Sequence, residues 1–256
     1  MQEHGIAVRV YGTSELQDVE PAAREDVVGG VHFTGDAHLD PARFLGGLAE
    51  RVRAMGAQVF EHTPVTGFLS AGGKVQAVKT GQGEIEAGQF VLAAGAWSGM
   101  LARKAGLHIP LQPARGYSLT ASAVQHMPSH ALILGDRRVA VTPLGKRLRV
   151  TGRLEVGEFD TTPNLRWIQR LEGFAREYLR LETALEIEET WAGLRPTTPD
   201  GMPIIGFSPR HSNFILATGH AMLGLSLGPG TGQVVAELAN GVAPAAELRA
   251  LGYRYR

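Results

Sequence analysis

Phe44, Leu45, Leu48, Val52 and Met55 recur at the three-and-four spacing of a single helix face. Asp40 stands at the N-cap, Pro41 in the first turn and Gly56 at the end, so both boundaries of this helix are written locally. Its apolar face has to pack on something. Gly56-Ala57-Gln58-Val59-Phe60 reads as a turn straight into a short strand, the helix-to-strand half of a βαβ unit. Short strands are expected around Val65–Leu69, Val75–Thr80 and Glu84–Glu86, separated by Ala71-Gly72-Gly73 and Gly81-Gln82-Gly83, as an antiparallel meander. Phe90-Val91-Leu92-Ala93-Ala94 is continuously apolar and predicts a strand buried on both faces, running into Gly95-Ala96-Trp97-Ser98 and a short helix.

From Leu111 to Thr190 the pattern alternates around Tyr117–Thr120, Val139–Thr142 and Leu148–Gly152, which predicts an antiparallel sheet and the start of a second domain. That stretch holds one helix, with Thr162 as its cap, Pro163 in its first turn, and Leu165, Ile168, Leu171, Ala175 and Tyr178 on one face. The chain then returns to α/β character. Phe214-Ile215-Leu216-Ala217 predicts a buried strand, a glycine-rich loop comes next, and Gln233–Ala239 predicts a helix ended by Asn240-Gly241. The expected class is α/β (α+β), an α/β sheet plus an antiparallel β domain with flanking helices, divided at residues 1–110, 111–190 and 191–256.

Composition narrows the function. The chain has 256 residues, 44% hydrophobic and 20% charged, enough to bury a core. Lys and Arg number 25 against 25 Asp and Glu, so there is no basic excess of the kind that marks a nucleic-acid surface. The absence of cysteine removes disulfides, thiolate metal sites, cysteine nucleophiles and a flavin tethered through sulfur. No apolar run has the length of a signal core or a bilayer span, so a cytoplasmic protein is expected, a reading compatible with peripheral attachment to the inner membrane. His32, Asp36, His38 and Asp40 have metal-ligating side chains at short spacing, but Asp40 is committed as a cap, and no metal site is expected.

The segment Trp191-Ala192-Gly193-Leu194-Arg195-Pro196-Thr197-Thr198-Pro199-Asp200-Gly201-Met202-Pro203-Ile204-Ile205-Gly206 resembles a signature of the D-amino-acid oxidase-like FAD-dependent flavoenzymes. Ala217-Thr218-Gly219-His220-Ala221-Met222-Leu223-Gly224 and then Gly228-Pro229-Gly230-Thr231-Gly232 resemble that family's flavin-ring loop and final helix. Asp40-Pro41, Gly56-Ala57, Thr63-Pro64-Val65 and Ala93–Ser98 extend the resemblance over nearly the whole chain. Arg115–Thr120 and Trp191–Gly201 are most similar to the bacterial D-amino-acid dehydrogenases. Two departures stand out. The Gly-x-Gly-x-x-Gly strand-turn-helix with which the family begins is not in this sequence, whose Met1 falls inside the family pattern; Glu15-Leu16 and Glu20-Pro21 resemble an internal helix and turn. At Pro143-Leu144-Gly145 many relatives carry an arginine after the proline.

The resemblance implies a non-covalent FAD and an amino-acid substrate whose α-hydrogen leaves as hydride. Such chemistry asks the protein mainly to orient the substrate. Arg195 is implied as the carboxylate anchor, and a guanidinium fork suits that role because it can donate two parallel hydrogen bonds. Tyr117 is a candidate for the substrate pocket, with a strand tyrosine as the equal alternative. His220 is a candidate by its titration range, although hydride transfer needs only the neutral amine and packing is the preferred role. The cofactor residues implied are Val65 at the adenine, Ala94, Gly95 and Trp97 beside the FAD, Gly193, and Gly219, His220, Met222, Leu223, Gly224 and Leu225 at the flavin ring. The helix expected near Gly230 would point its positive end at the flavin.

Two functional readings result: an FAD-dependent amino-acid dehydrogenase or oxidase, and a non-catalytic fragment that does not retain FAD. Either leaves apolar faces to be covered by another copy or by a partner chain supplying the N-terminal unit, so an oligomer is expected.

Overall fold

Gly12 ends the first strand and opens the first helix. Its amide donates to the Glu15 carboxylate at 3.1 Å, so β1 (Val8–Gly12) runs directly into α1 (Thr13–Val19). In this computed structural model, which describes residues 5–122 and 124–253, β1 pairs antiparallel with β2 (Gly29–Phe33). Glu20 then anchors the end of α1: its buried carboxylate accepts from the Ser129 and His130 amides at 2.9 and 3.0 Å, which satisfies a charge that would otherwise be costly to bury.

The helix α2 (Pro41–Ala54) forms where the apolar spacing places it. Asp40 Oδ1 accepts from the Ala42 and Arg43 amides at 3.0 and 3.3 Å, a cap of about 1 kcal/mol. Gly56, at φ +91, closes the other end in a conformation that side chains disfavour. The strand expected over Val59–Phe60 does not form. An extended segment becomes a strand only by hydrogen bonding to another, and among the described residues none pairs with it; Val59 and Phe60 are 47% and 57% exposed.

The chain divides into two compact units, Met1–Ala49 with Arg115–Glu155 and Asp160–Gly193, and Glu50–Ala114 with Val156–Phe159 and Leu194–Arg256. In the second unit β3 (Val65–Ala71), β4 (Lys74–Thr80) and β5 (Gly83–Glu86) make the expected meander. β6 (Phe90–Leu92) leads through a 3-10 turn at Gly95–Trp97 into α3 (Ser98–Lys104).

The first unit is built on a five-stranded sheet. In chain order its strands are β7 (Gln112–Ser122), β8 (Leu132–Leu134), β9 (Val139–Leu144), β10 (Arg147–Val156) and β11 (Glu186–Thr197), and their spatial order is β11-β7-β10-β9-β8. Alternate residues Leu119, Ala121, Val139, Val141, Leu148 and Val150 face α4 (Leu165–Tyr178), which buries Ile168, Leu171 and Ala175 against them. Gly152 is required there: a methyl at that position would stand 2.8 Å from Leu171 and 2.9 Å from Val139. The cap of α4 is Asn164, whose side chain accepts from the Arg166 amide at 3.1 Å, and not Thr162. The Thr162 amide is instead held by the Asp160 carboxylate at 2.8 Å, which keeps Thr162 and Pro163 outside the helix.

In the second unit β12 (Ile204–Phe207), β13 (Phe214–Thr218) and β6 form a three-stranded sheet in which β13 and β6 run parallel. Val75, Leu92, Ala102, Ile109, Ile204, Phe214 and Leu216 form its core. Asn213 joins meander to sheet, accepting from the Val75 amide at 2.9 Å and donating to the Val75 and Gly88 carbonyls at 2.8 and 3.1 Å. Two expectations are corrected. β6 is buried on one face only, because Val91 is 45% exposed between buried Phe90 and Leu92. The final helix α5 (Gly224–Ala239) begins six residues before Gly230, running through Gly228 and Pro229, residues that ordinarily weaken a helix. Apolar faces are left uncovered: α2 buries no residue and α5 only Leu238.

Candidate active site

β13 ends at Thr218, and the turn beyond it holds its backbone in conformations that side chains disfavour. Gly219 has φ +83 and Ala221 φ +47. A methyl on Gly219 would approach the Thr198 methyl to 2.8 Å. The Thr198 hydroxyl donates to the Met202 carbonyl at 2.8 Å, so the segment after β11 is folded tightly against this turn. The decisive link is that Ala221 donates its amide to the Pro196 carbonyl at 3.0 Å. It ties the residue beside Arg195 to the middle of the turn.

Arg195 is half-buried, and its Nη1 is fully enclosed without a hydrogen-bond partner among the described residues. Burial pulls its pKa below the ordinary arginine value, yet a guanidinium remains charged at any physiological pH. A shielded cation with an open donor is costly unless something anionic completes it.

Two further segments converge on the turn. The Thr218 hydroxyl donates to the Gly95 carbonyl at 3.2 Å, which draws Ala94–Trp97 to the end of β13. Gly95 sits at φ +53 with open space where a side chain would be. Trp97, about half exposed, stacks at a tilt on Phe159 with ring centroids 6.0 Å apart. On the other side His220 Nε2 and Thr231 Oγ1 share a hydrogen bond of 2.9 Å. Burial lowers the His220 pKa, so the imidazole is neutral near pH 7. Met222, Leu223 and Leu225 are exposed at 70%, 57% and 36%, so apolar side chains and glycine backbone line the entry to α5.

The remaining expected residues, Val65, Gly193 and Tyr117, lie on strands β3, β11 and β7. Val65 opens β3 opposite Thr80. Gly193 is covered by the Trp191 ring, which passes 1.8 Å from where a methyl would be. Tyr117 is fully buried in the core of the first unit, and its hydroxyl donates to Glu155 at 2.6 Å. Burial and the Glu155 carboxylate push the Tyr117 pKa up to about 12. Glu155 also accepts from Arg115 at 3.4 Å, and Arg115 is paired with Asp160 as well. Of the side chains with metal-ligating chemistry near the first helix pair, Asp40 caps α2, His38 Nε2 hydrogen-bonds the Pro143 carbonyl at 3.0 Å and His32 packs edge-on against His130. Among the described residues no group of acidic or imidazole side chains is gathered to hold a metal. Sequence reasoning missed Thr231, Thr198 and Glu155. The first is signalled by a hydroxyl inside a glycine run, whereas Glu155 lies 38 residues from Tyr117 with no local mark.

The segment after β11, the left-handed turn after β13 and the Ala94–Trp97 segment are thus joined by hydrogen bonds, with an enclosed guanidinium nitrogen one residue from the link. The family described as DAO, FAD dependent oxidoreductase, matches residues 1–238. The chain belongs to this family. Within the family it is 32% identical over 249 residues to a D-amino acid dehydrogenase of Granulibacter bethesdensis, covering 95% of this chain and 59% of that protein. It is 33% identical over 257 residues to a D-amino acid dehydrogenase of Paramagnetospirillum magneticum, covering 98% and 61%. The DAO chain thus spans about three fifths of the length of these curated relatives. Among solved structures, glycine oxidase from Bacillus cereus superposes with a TM-score of 0.89 at 25% identity, covering 99% of this chain and 70% of that one.

Proposed function

We propose that the chain supplies the carboxylate anchor and the flavin-ring wall of an FAD-dependent enzyme that oxidises D-amino acids. The observation that carries this reading is Arg195 Nη1, enclosed and without a hydrogen-bond partner among the described residues, on the residue whose neighbour Pro196 is bonded to the Gly219–Gly224 turn. FAD, when bound, accepts the hydride from the substrate α-carbon. Arg195 holds the α-carboxylate through paired, charge-assisted hydrogen bonds and so fixes which atom faces the ring. The open backbone at Gly95, the left-handed Gly219–Ala221 turn and the amides entering α5 form the cradle, and a positive helix end there favours charge gathering on the ring. Neutral His220 adds no charge of its own. The imino acid released hydrolyses to a keto acid and ammonia. The test is purification with FAD followed by D-alanine and an electron-accepting dye: yellow protein that forms keto acid and ammonia in equal amounts supports the reading, and colourless protein that ignores added FAD overturns it for this chain.

A second reading is favoured by the uncovered apolar faces. On it the chain is a non-catalytic portion that does not retain FAD and self-associates. Val91 on β6, Phe44, Leu45 and Leu48 on α2 and Met222, Leu223 and Leu225 at the entry to α5 stay exposed, a set of apolar side chains that a partner surface would cover. Sedimentation as a clean monomer would count against it. Among the described residues no helix is long and apolar enough to cross a membrane.

A further inference from the structure

We propose that Thr231 is a positioning residue: through its hydrogen bond to His220 it sets the attitude of the Gly219–Gly224 turn and thereby the fit of the flavin ring against that backbone. The inference rests on the flavin reading of the turn.

The turn needs such a fixing point. Ala221 at φ +47 is held in a region that costs a side-chain-bearing residue about 1–2 kcal/mol, and it persists only where the surroundings over-determine it. One side is fixed by the Ala221 amide on the Pro196 carbonyl, which registers the turn against Arg195. The opposite side leads into α5, where support is weakest. Residues 225–230 are all exposed, and a methyl built on Gly228, Gly230 or Gly232 would meet nothing within 4 Å. Pro229 cannot donate to the Leu225 carbonyl, so the helix begins with a missing rung. The packing and backbone bonds that normally hold a helix start are therefore thin here.

Thr231 lies just past this stretch, and its bond to His220 at 2.9 Å spans 11 residues, bypassing it altogether. Threonine populates two rotamers in a helix, and the bond to His220 selects one of them and so fixes where the hydroxyl stands. His220 sits between the two left-handed residues, and its carbonyl also accepts from the Leu223 amide at 2.9 Å. Fixing its imidazole thus fixes the peptide units on both sides. Burial keeps that ring neutral, so the bond joins two uncharged groups and its geometry is insensitive to pH near neutrality.

The test compares Thr231→Val, which removes the hydroxyl at constant shape, with Thr231→Ser, which restores it. Hydrogen exchange of the Met222, Leu223 and Gly224 amides is followed first without FAD, with β12 and β13 as a control for folding. FAD affinity by fluorescence and the flavin midpoint potential are then measured. The expected result is about tenfold faster exchange at the turn and about tenfold weaker FAD in Thr231→Val, the size of one hydrogen bond, with a displaced potential and recovery to within about twofold in Thr231→Ser. Wild-type exchange and affinity in Thr231→Val, or equal damage from Thr231→Ser, overturn the proposal. Wild-type protein that takes up no FAD overturns the flavin reading, while the exchange comparison still decides the clamp.

Discussion

The Ala221 amide donates to the Pro196 carbonyl, and this one hydrogen bond of 3.0 Å ties the backbone next to Arg195 to a left-handed turn. Neither would persist in an ordinary surface loop. An enclosed cation without a partner among the described residues and strained backbone both cost stability.

Replacing Arg195 separates function from stability. Arg195→Met removes a half-buried charge whose Nη1 has no partner, so thermal unfolding should occur at the same temperature or higher. Carboxylate binding should weaken by roughly 10- to 100-fold, the scale of hydrogen bonds to a charged group. Arg195→Lys should recover only part of it, because an ammonium lacks the planar fork. Calorimetry and substrate KM check both halves.

Gly219→Ala tests the turn. The new methyl meets both a φ of +83 and the Thr198 methyl at 2.8 Å. A loss of about 1–3 kcal/mol in denaturant unfolding is expected, together with weaker FAD binding. Gly73→Ala, also at positive φ but with nothing near its added methyl, should lose stability without touching FAD.

The sequence made some of this legible and hid the rest for identifiable reasons. The helix at Pro41–Ala54 was readable because Asp40 and Gly56 act on backbone within a few residues of themselves. Val59–Phe60 was misread because a strand is a property of two segments, and its own residues say nothing of whether a neighbour is present. The start of α5 was placed late because glycine and proline there oppose a helix that tertiary context imposes. Arg195 and the turn were visible through resemblance, but the Pro196 carbonyl that links them was not, since it involves backbone atoms that any residue carries.

Tyr117→Phe tests the buried network. Removing the hydroxyl that donates to Glu155 at 2.6 Å should cost about 1–3 kcal/mol, read by urea unfolding. The Tyr117 pKa of about 12 lies above its unfolded value of 10.0, so wild-type stability is full below pH 10 and falls as pH rises through 12. In Tyr117→Phe that alkaline loss should disappear. Glu155 behaves oppositely: its pKa is lowered chiefly by the Tyr117 hydrogen bond, so its contribution is present above the unfolded value of 4.5 and fades as pH falls. The variant should show a shallower acid loss.

His220 gives a second pH signature. Its pKa is depressed by burial below 6.5, so the unfolded chain binds the proton first and stability falls as pH drops below that value. His220→Asn should be flatter between pH 7.5 and 5.5 in urea titrations, a window chosen about the ordinary histidine value.

The most direct test of the central claim is anaerobic mixing of the FAD-loaded protein with a D-amino acid while flavin absorbance is followed. The account predicts that wild type bleaches and that Arg195→Met, equally loaded with FAD, bleaches at least tenfold more slowly at the same substrate concentration, with about tenfold standing for one lost charge-assisted hydrogen bond. Equal bleaching in the two proteins, or a flavin that no D-amino acid reduces, would contradict it.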